Sequence, residues 1–316
     1  MQEGRRRSRS WLGVLAFLAL TALVYAALFA AWRALPYIRP GADLVMDAKL
    51  TRLPDEMRFG PGDTQRVIVF GDSRILSGLR PETFDAAAGP GVKSYNMGLP
   101  DGPDFLPVLE DLLRRGVRPT AVLTAQLWTG EPRPPSPIDR LQDNTAMAGR
   151  LLPFRSLVRD AATFAALSHG RLAWRYRQNG AEVAGMLAGR GWYFIKEQSH
   201  FPGDRLPDGF RLPTDRPAWR PPTPEAAAGW RYDRLMRLAG RYGFEVLIIP
   251  APRREGVFAP PAQAPPVRRI SQRLGRLGPD YLILPHRDFS DPLHPNPAGA
   301  EAYSRALGAA FARRGG

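Results

Sequence analysis

The sequence predicts an α/β domain, a parallel sheet with helices on its faces, behind one apolar N-terminal helix. Three observations carry this expectation. Short apolar runs alternate with stretches of helical periodicity between residues 66 and 128. The same alternation returns after residue 224. Residues 11–32 form an unbroken uncharged run. Strand and helix in alternation is the pattern of a sheet covered by helices.

The chain opens with Arg5-Arg6-Arg7-Ser8-Arg9, followed by 22 uncharged residues from Trp11 to Trp32. As a helix that run is about 33 Å long at 1.5 Å per residue, enough for a hydrocarbon core of about 30 Å. Trp11 and Trp32 stand at its two ends, where indole favours the headgroup layer. A cleaved signal peptide is the competing reading. Its apolar core would run about 7–15 residues to a small-x-small site, and Leu28-Phe29-Ala30 is a poor one. The expectation is therefore an uncleaved anchor over 11–32, in contact with the lipid bilayer. The preceding arginines keep residues 1–10 cytoplasmic, and everything after Arg33 is extracytoplasmic, periplasmic or cell-surface.

Residues 33–64, rich in Pro, Gly and charge, read as a juxtamembrane connector. Arg66 to Phe70 is a short apolar run ending at Gly71, which suits a buried parallel strand. Pro81 to Ala88 reads as a helix, and Lys93 to Met97 as a second strand running into the loop Gly98–Pro103. Apolar positions at Phe105, Leu106, Val108, Leu109, Leu112 and Leu113 give a helix over 104–115. A third strand centres on Ala121-Val122-Leu123. Residues 129–222 break the rhythm and read as an insertion or cap. It holds helical patterns at 146–167 and 172–187 and a Pro-rich stretch at 201–224. The alternation resumes with a helix over 224–242, a strand over 244–249, a helix over 266–277 and a strand over 281–284. Asn296 and Pro297 open the last helix, as N-cap and first helical residue.

Composition narrows the function. The chain has 316 residues, no cysteine, and 44 Lys+Arg against 30 Asp+Glu, a net charge of +14. Thiol nucleophiles, disulfides and iron–sulfur clusters are excluded. Residues 1–40 hold +5 of the charge, leaving +9 beyond them. No dense basic run follows, and no nucleic-acid-binding motif, so no nucleic acid is expected as partner.

Three strings could carry chemistry. Gly71-Asp72-Ser73 directly follows a buried strand. A serine there is exposed at the carboxyl edge of the sheet, where open α/β folds bind ligands. Asp291-Pro292-Leu293-His294 sets a carboxylate three residues before an imidazole. The carboxylate can reach Nδ1 and leave Nε2 free to take a proton. Tyr95 to Gly102 closes the second strand with a glycine-containing loop that can bring backbone N–H groups near a substrate. His286 lacks an acid three residues before it, and His169 and His200 fall in the insertion. No histidines stand at metal-ligand spacing, so no metal is expected.

In this order the three strings resemble the SGNH, or GDSL-type, hydrolase superfamily, over residues 65–128 and 224–312. The resemblance implies a flavodoxin-like three-layer α/β/α fold over 65–316 and no cofactor. Gly71-Asp72-Ser73 matches the nucleophile turn. Asn96, Gly98 and Gly102 resemble the second block, and Asp291 and His294 the last. Ser73 would be the nucleophile, His294 the base and then the acid, and Asp291 its orienter. Two departures stand out. The family's Gly-x-Asn-Asp run is replaced by Thr124 to Gly130, where Gln126 or Trp128 would have to supply the oxyanion donor. The second-block glycine falls one place late, which gives the donor N–H to Asp101 or Gly102. The anchor makes the chain similar to membrane-tethered members that act on cell-envelope polymers. Acylated glycan is then the implied substrate, and a multispanning membrane O-acyltransferase an implied partner. A degenerate scaffold that only binds polymer or partner is the alternative.

Overall fold

The computed structural model describes residues 3–100, 102, 104–126, 128–131, 152–195, 199–215, 228–257, 267–269, 273–279 and 281–315. The chain divides into two compact units, residues 1–40 with 135–180, and residues 41–134 with 181–316.

In the first unit, helix α1 spans Glu3–Ala34. Its segment Trp11–Ala34, 24 residues, is long and apolar enough to cross a membrane. Trp11, Leu12, Leu15, Phe17 and Leu23 all point outward. The same unit orders the turn at Pro36–Ile38. There Asn179 Nδ2 donates to the Tyr37 carbonyl at 2.7 Å, and the Tyr37 and Tyr176 rings meet edge to face at 5.1 Å.

The second unit starts differently from the sequence expectation. Residues 41–57 are not a connector: they fold into α2 (Gly41–Thr51) and α3 (Leu53–Glu56). Leu44, Val45, Ala48 and Lys49 form a buried stripe on α2, and Leu53 is fully buried. Glycine, proline and charge in this stretch obscured a short amphipathic face.

The central sheet then builds in sequence order. β1 (Gln65–Phe70), α4 (Ser73–Gly78), α5 (Pro81–Ala88), β2 (Val92–Asn96), α6 (Leu106–Arg114) and β3 (Ala121–Thr124) follow one another. β4 (Thr129–Glu131) opens the insertion, and α7 (Leu157–Leu167) and α8 (Leu172–Ala188) lie within it. β5 (Ala228–Gly229) pairs in parallel with β4 at its far end. After it come α9 (Trp230–Tyr242), β6 (Glu245–Ile248), β7 (Ala251–Arg254), β8 (Val267–Arg269), β9 (Leu274–Leu277), β10 (Tyr281–Leu284) and α10 (Pro297–Ala312).

The six-stranded sheet has the order β2-β1-β3-β6-β9-β8. All its pairs are parallel except β8 with β9. The protein is thus α/β with a mostly parallel sheet. Val67, Ile68, Val69 and Phe70 are all fully buried, as a strand covered on both faces requires. Ile68 and Phe70 pack with Leu106 and Leu109 of α6 and Leu235 of α9. Val67 and Val69 pack with Ile75, Phe84, Tyr303 and Leu307 on the opposite face. Each such side chain contributes about 1.5–3 kcal/mol of burial.

Two elements differ from expectation beyond residue 250. Within the helix read over 266–277, the described residues include two strands, β8 and β9. Val267, Ile270, Leu274 and Leu277 repeat with helical spacing, but Leu274 to Leu277 is buried at every position and pairs with β6. Gly275 in that run disfavours helix, and burial against the sheet decides the outcome. The strand over 281–284 forms, but it pairs with β7 in a separate two-stranded sheet. The helix read over 224–242 begins at Trp230. Of the helix read over 146–167, the described part is α7. α10 starts as expected, with Asn296 accepting from the Ala298 and Gly299 N–H groups.

Candidate active site

Ser73 stands at the first position of α4, immediately after β1 and the Gly71-Asp72 turn. Asp72 is the N-cap, and its Oδ1 accepts from the Arg74 N–H at 2.9 Å. Both Asp72 oxygens also accept from the Arg74 guanidinium. Burial alone would raise the Asp72 carboxyl, but the hydrogen bonds and charge of Arg74 outweigh it and hold it below its ordinary value. The cap fixes the turn, and the turn fixes where Ser73 points.

The other half of the site comes from the loop before α10. His294 Nε2 lies 2.8 Å from Ser73 Oγ, across 221 residues of sequence. His294 Nδ1 lies 2.7 Å from Asp291 Oδ2. A carboxylate only accepts, so in the neutral ring Nδ1 carries the proton and Nε2 accepts from the Ser73 hydroxyl. Asp291 Oδ1 accepts from the Leu293 and His294 N–H groups at 2.7 and 2.9 Å. Burial raises the Asp291 carboxyl, but these bonds outweigh it and its value is lowered. Asp291 and His294 are each 7% exposed. The pair is therefore held rigidly and largely out of water.

The residues expected around the oxyanion separate into different roles. The Gly71 carbonyl accepts from the Leu99 N–H at 2.9 Å, which ties the loop after β2 to the Gly71-Asp72 turn. The Gly98 N–H donates to Asn96 Oδ1 at 2.8 Å, and the Gly102 N–H to the Leu99 carbonyl at 3.3 Å. Gly102 has φ +58, and a Cβ there would sit 3.0 Å from Asp72 Cβ. Gln126 Nε2 donates to the Gly102 carbonyl at 2.7 Å. The loop and Gln126 thus close against the Gly71-Asp72 turn. Asp101 lies outside the described residues. The Trp128 ring stacks on Phe105 at 4.9 Å, as part of the core. The Ser73 N–H, at the start of α4, has no acceptor inside its own helix.

Asn96 is fully buried. Its Nδ2 donates to the Ile75, Leu76 and Leu79 carbonyls, and so ties the end of β2 to the closing turn of α4. Gly98 must be glycine for the same packing, because a Cβ would meet the Leu76 backbone nitrogen at 2.5 Å. Gly98→Ala is expected to lower stability by about 1–3 kcal/mol, the usual cost of overpacking. A urea titration of the variant beside the wild type checks this, and an unchanged midpoint would show that the loop simply yields.

The sequence reading missed Lys49. Its Nζ is fully buried and donates to the Gly98 carbonyl at 2.6 Å, the Asn96 carbonyl at 2.8 Å and Asn96 Oδ1 at 3.3 Å. All three acceptors are neutral oxygens. Burial pushes the Lys49 ammonium well below the ordinary lysine value. The segment after α8 was also missed. The Arg190 carbonyl accepts from the Asn96 N–H, and Trp192 Nε1 donates to the Ser77 carbonyl at 2.7 Å. No local pattern marks these contacts, since each joins residues far apart in sequence.

His286 forms a separate cluster. Nδ1 faces Glu255 at 2.6 Å and Nε2 faces the Phe210 carbonyl at 2.7 Å. Among the described residues, no group of three or more His, Asp or Glu side chains is placed to hold a metal ion. Comparison with protein-family models, with curated proteins and with solved structures finds no match to this chain.

Proposed function

We propose that the protein is an SGNH-type serine esterase or acyltransferase, anchored in a membrane by 11–32, with its α/β domain extracytoplasmic. The observation that carries this reading is the continuous Ser73–His294–Asp291 hydrogen-bond chain. The parallel strands β2-β1-β3-β6-β9 support it, since 2-1-3-4-5 is the order of flavodoxin-like sheets. The Arg5–Arg9 cluster supports a cytoplasmic N-terminus by the positive-inside tendency. Cell-envelope glycans with O-acyl esters are the substrates this topology would offer, and a multispanning O-acyltransferase is the partner a transferase would need.

The reaction follows from the residues. His294 Nε2 takes the Ser73 proton as Oγ attacks the acyl carbonyl carbon. Asp291 keeps the ring oriented and stabilises the imidazolium. The carbonyl oxygen becomes an oxyanion beside the Ser73 N–H, near the Gly98–Gly102 loop. The C–O bond to the leaving alcohol breaks, and His294 returns the proton to that oxygen. Water or a sugar hydroxyl, deprotonated by His294, then attacks the acyl carbon; the bond to Ser73 Oγ breaks and His294 returns the proton to that oxygen.

A serine-reactive fluorophosphonate tests this directly. The full-length protein in detergent should be labelled, and Ser73→Ala should not. A wild type that stays unlabelled while folded would favour a degenerate scaffold that binds polymer or partner.

A further inference from the structure

Beside the triad lies a cavity of about 200 Å³ with an unusual lining. Arg74, the residue after the nucleophile, forms one wall with Arg253 and Arg254 of β7. Pro292 and Leu293, between Asp291 and His294, line it too. The cavity therefore touches both chain segments that make the triad. Among the described residues, three arginines and one carboxylate, Asp215, line it.

The guanidinium groups are not equivalent. Arg254 is held by both oxygens of Asp215 at 2.9 Å, and its side chain is 2% exposed. Arg74 is held from one side by Asp72. Arg253 lies within the fields of both Arg74 and Asp72. Burial first, and then the Arg74 charge, lower it to about 10, against the opposing pull of Asp72. At neutral pH it is still a cation, and it lines the same half-enclosed space as Arg74. An anion between the two would replace that repulsion with charge-assisted hydrogen bonds, for which the planar guanidinium suits carboxylate and phosphate oxygens.

Resting on the acyl-transfer reading above, we infer that this cavity is an anion subsite. It seats a carboxylate or phosphate group that the substrate carries close to its scissile ester. The cavity is smaller than the roughly 300–1,000 Å³ typical of sites for whole ligands. It fits the anionic group and its immediate carrier, and leaves the rest of the polymer outside. Neutral acyl esters would then be poor substrates even with the triad intact.

Three matched aryl esters test the inference on the full-length protein in neutral detergent. They are phenyl acetate, 3-carboxyphenyl acetate and 3-phosphonooxyphenyl acetate, followed by phenol release. The wild type should acylate faster with one or both anionic esters than with phenyl acetate, by tenfold or more in kcat/KM. Which of the two leads identifies the carboxylate or the phosphate as the natural group. Arg253→Gln should bring the anionic-to-neutral ratio to near one, and Arg253→Lys should retain part of it. The ratio is internal to each protein, so a partly unfolded variant does not distort it. A wild-type ratio near one, with fluorophosphonate labelling intact, overturns the subsite alone. A preserved ratio in Arg253→Gln also overturns it. No acylation by any ester and no labelling overturns the acyl-transfer reading itself.

Discussion

Asp291→Asn should slow acylation of Ser73 by about 10⁴-fold, far more than one hydrogen bond is worth. The reason lies in which atom faces which. Asp291 Oδ1 accepts two backbone N–H groups, and Oδ2 accepts from His294 Nδ1. Asparagine can keep its oxygen on the backbone pair, but its amide N–H₂ then faces Nδ1. The ring responds by moving its proton to Nε2, the atom 2.8 Å from Ser73 Oγ. A protonated Nε2 donates to the serine and cannot take its proton. The geometry survives and the base is lost. Stopped-flow release of phenol from an aryl acetate, wild type against variant, measures the effect. Ser73→Ala in the same assay should remove the acyl-enzyme altogether. An Asp291→Asn variant within tenfold of wild type would refute the proposed role of the triad.

The triad was legible because each half is local. A serine after a buried strand and an acid three residues before a histidine are short-range patterns, and β1 and the loop before α10 do the rest. The sheet was legible for the same reason at β1, β3 and β6, each built on a short apolar run, whereas β2, Val-Lys-Ser-Tyr-Asn, carries no such run. It failed at Leu274–Leu277, where helical spacing and strand burial use the same residues and only the neighbouring strand decides between them. The surroundings of the Ser73–His294–Asp291 cluster were less legible than the cluster itself. Arg253 and Arg254 sit on a strand that no apolar run announces, since β7 reads Ala-Pro-Arg-Arg. Gln126 was expected as an oxyanion donor, and the structure places its amide against the Gly102 carbonyl. Residue type misled most at Lys49, because a lysine in a charged, glycine-containing stretch reads as solvent-facing.

Lys49→Met tests that last point, and the competing effects can be ranked. A buried ammonium with no carboxylate beside it is costly, so removing it should return some free energy. Methionine, however, fills the space without a donor. The Asn96 and Gly98 carbonyls would lose charge-assisted bonds of 2.8 and 2.6 Å in a site that water does not reach. Leaving buried acceptors unmade costs about 1–3 kcal/mol each, and two are left. The expected net loss is about 2–4 kcal/mol, read as a lower urea midpoint of the full-length protein. Acylation of Ser73 should fall as well in the molecules that remain folded, since Lys49 holds the same peptide groups that set the Gly98–Gly102 loop against the Gly71-Asp72 turn. The pH dependence gives a second reading. The folded value of Lys49 is lowered, while the unfolded chain titrates near 10.4. Between those two values the unfolded state holds more protons, so stability rises with pH there. The wild type should therefore gain on the variant as pH rises from the lowered folded value to about 10.4. A variant as stable as wild type, or more stable, would mean that the desolvation of the ammonium outweighs its three bonds, and that the loop is held by Asn96 without it.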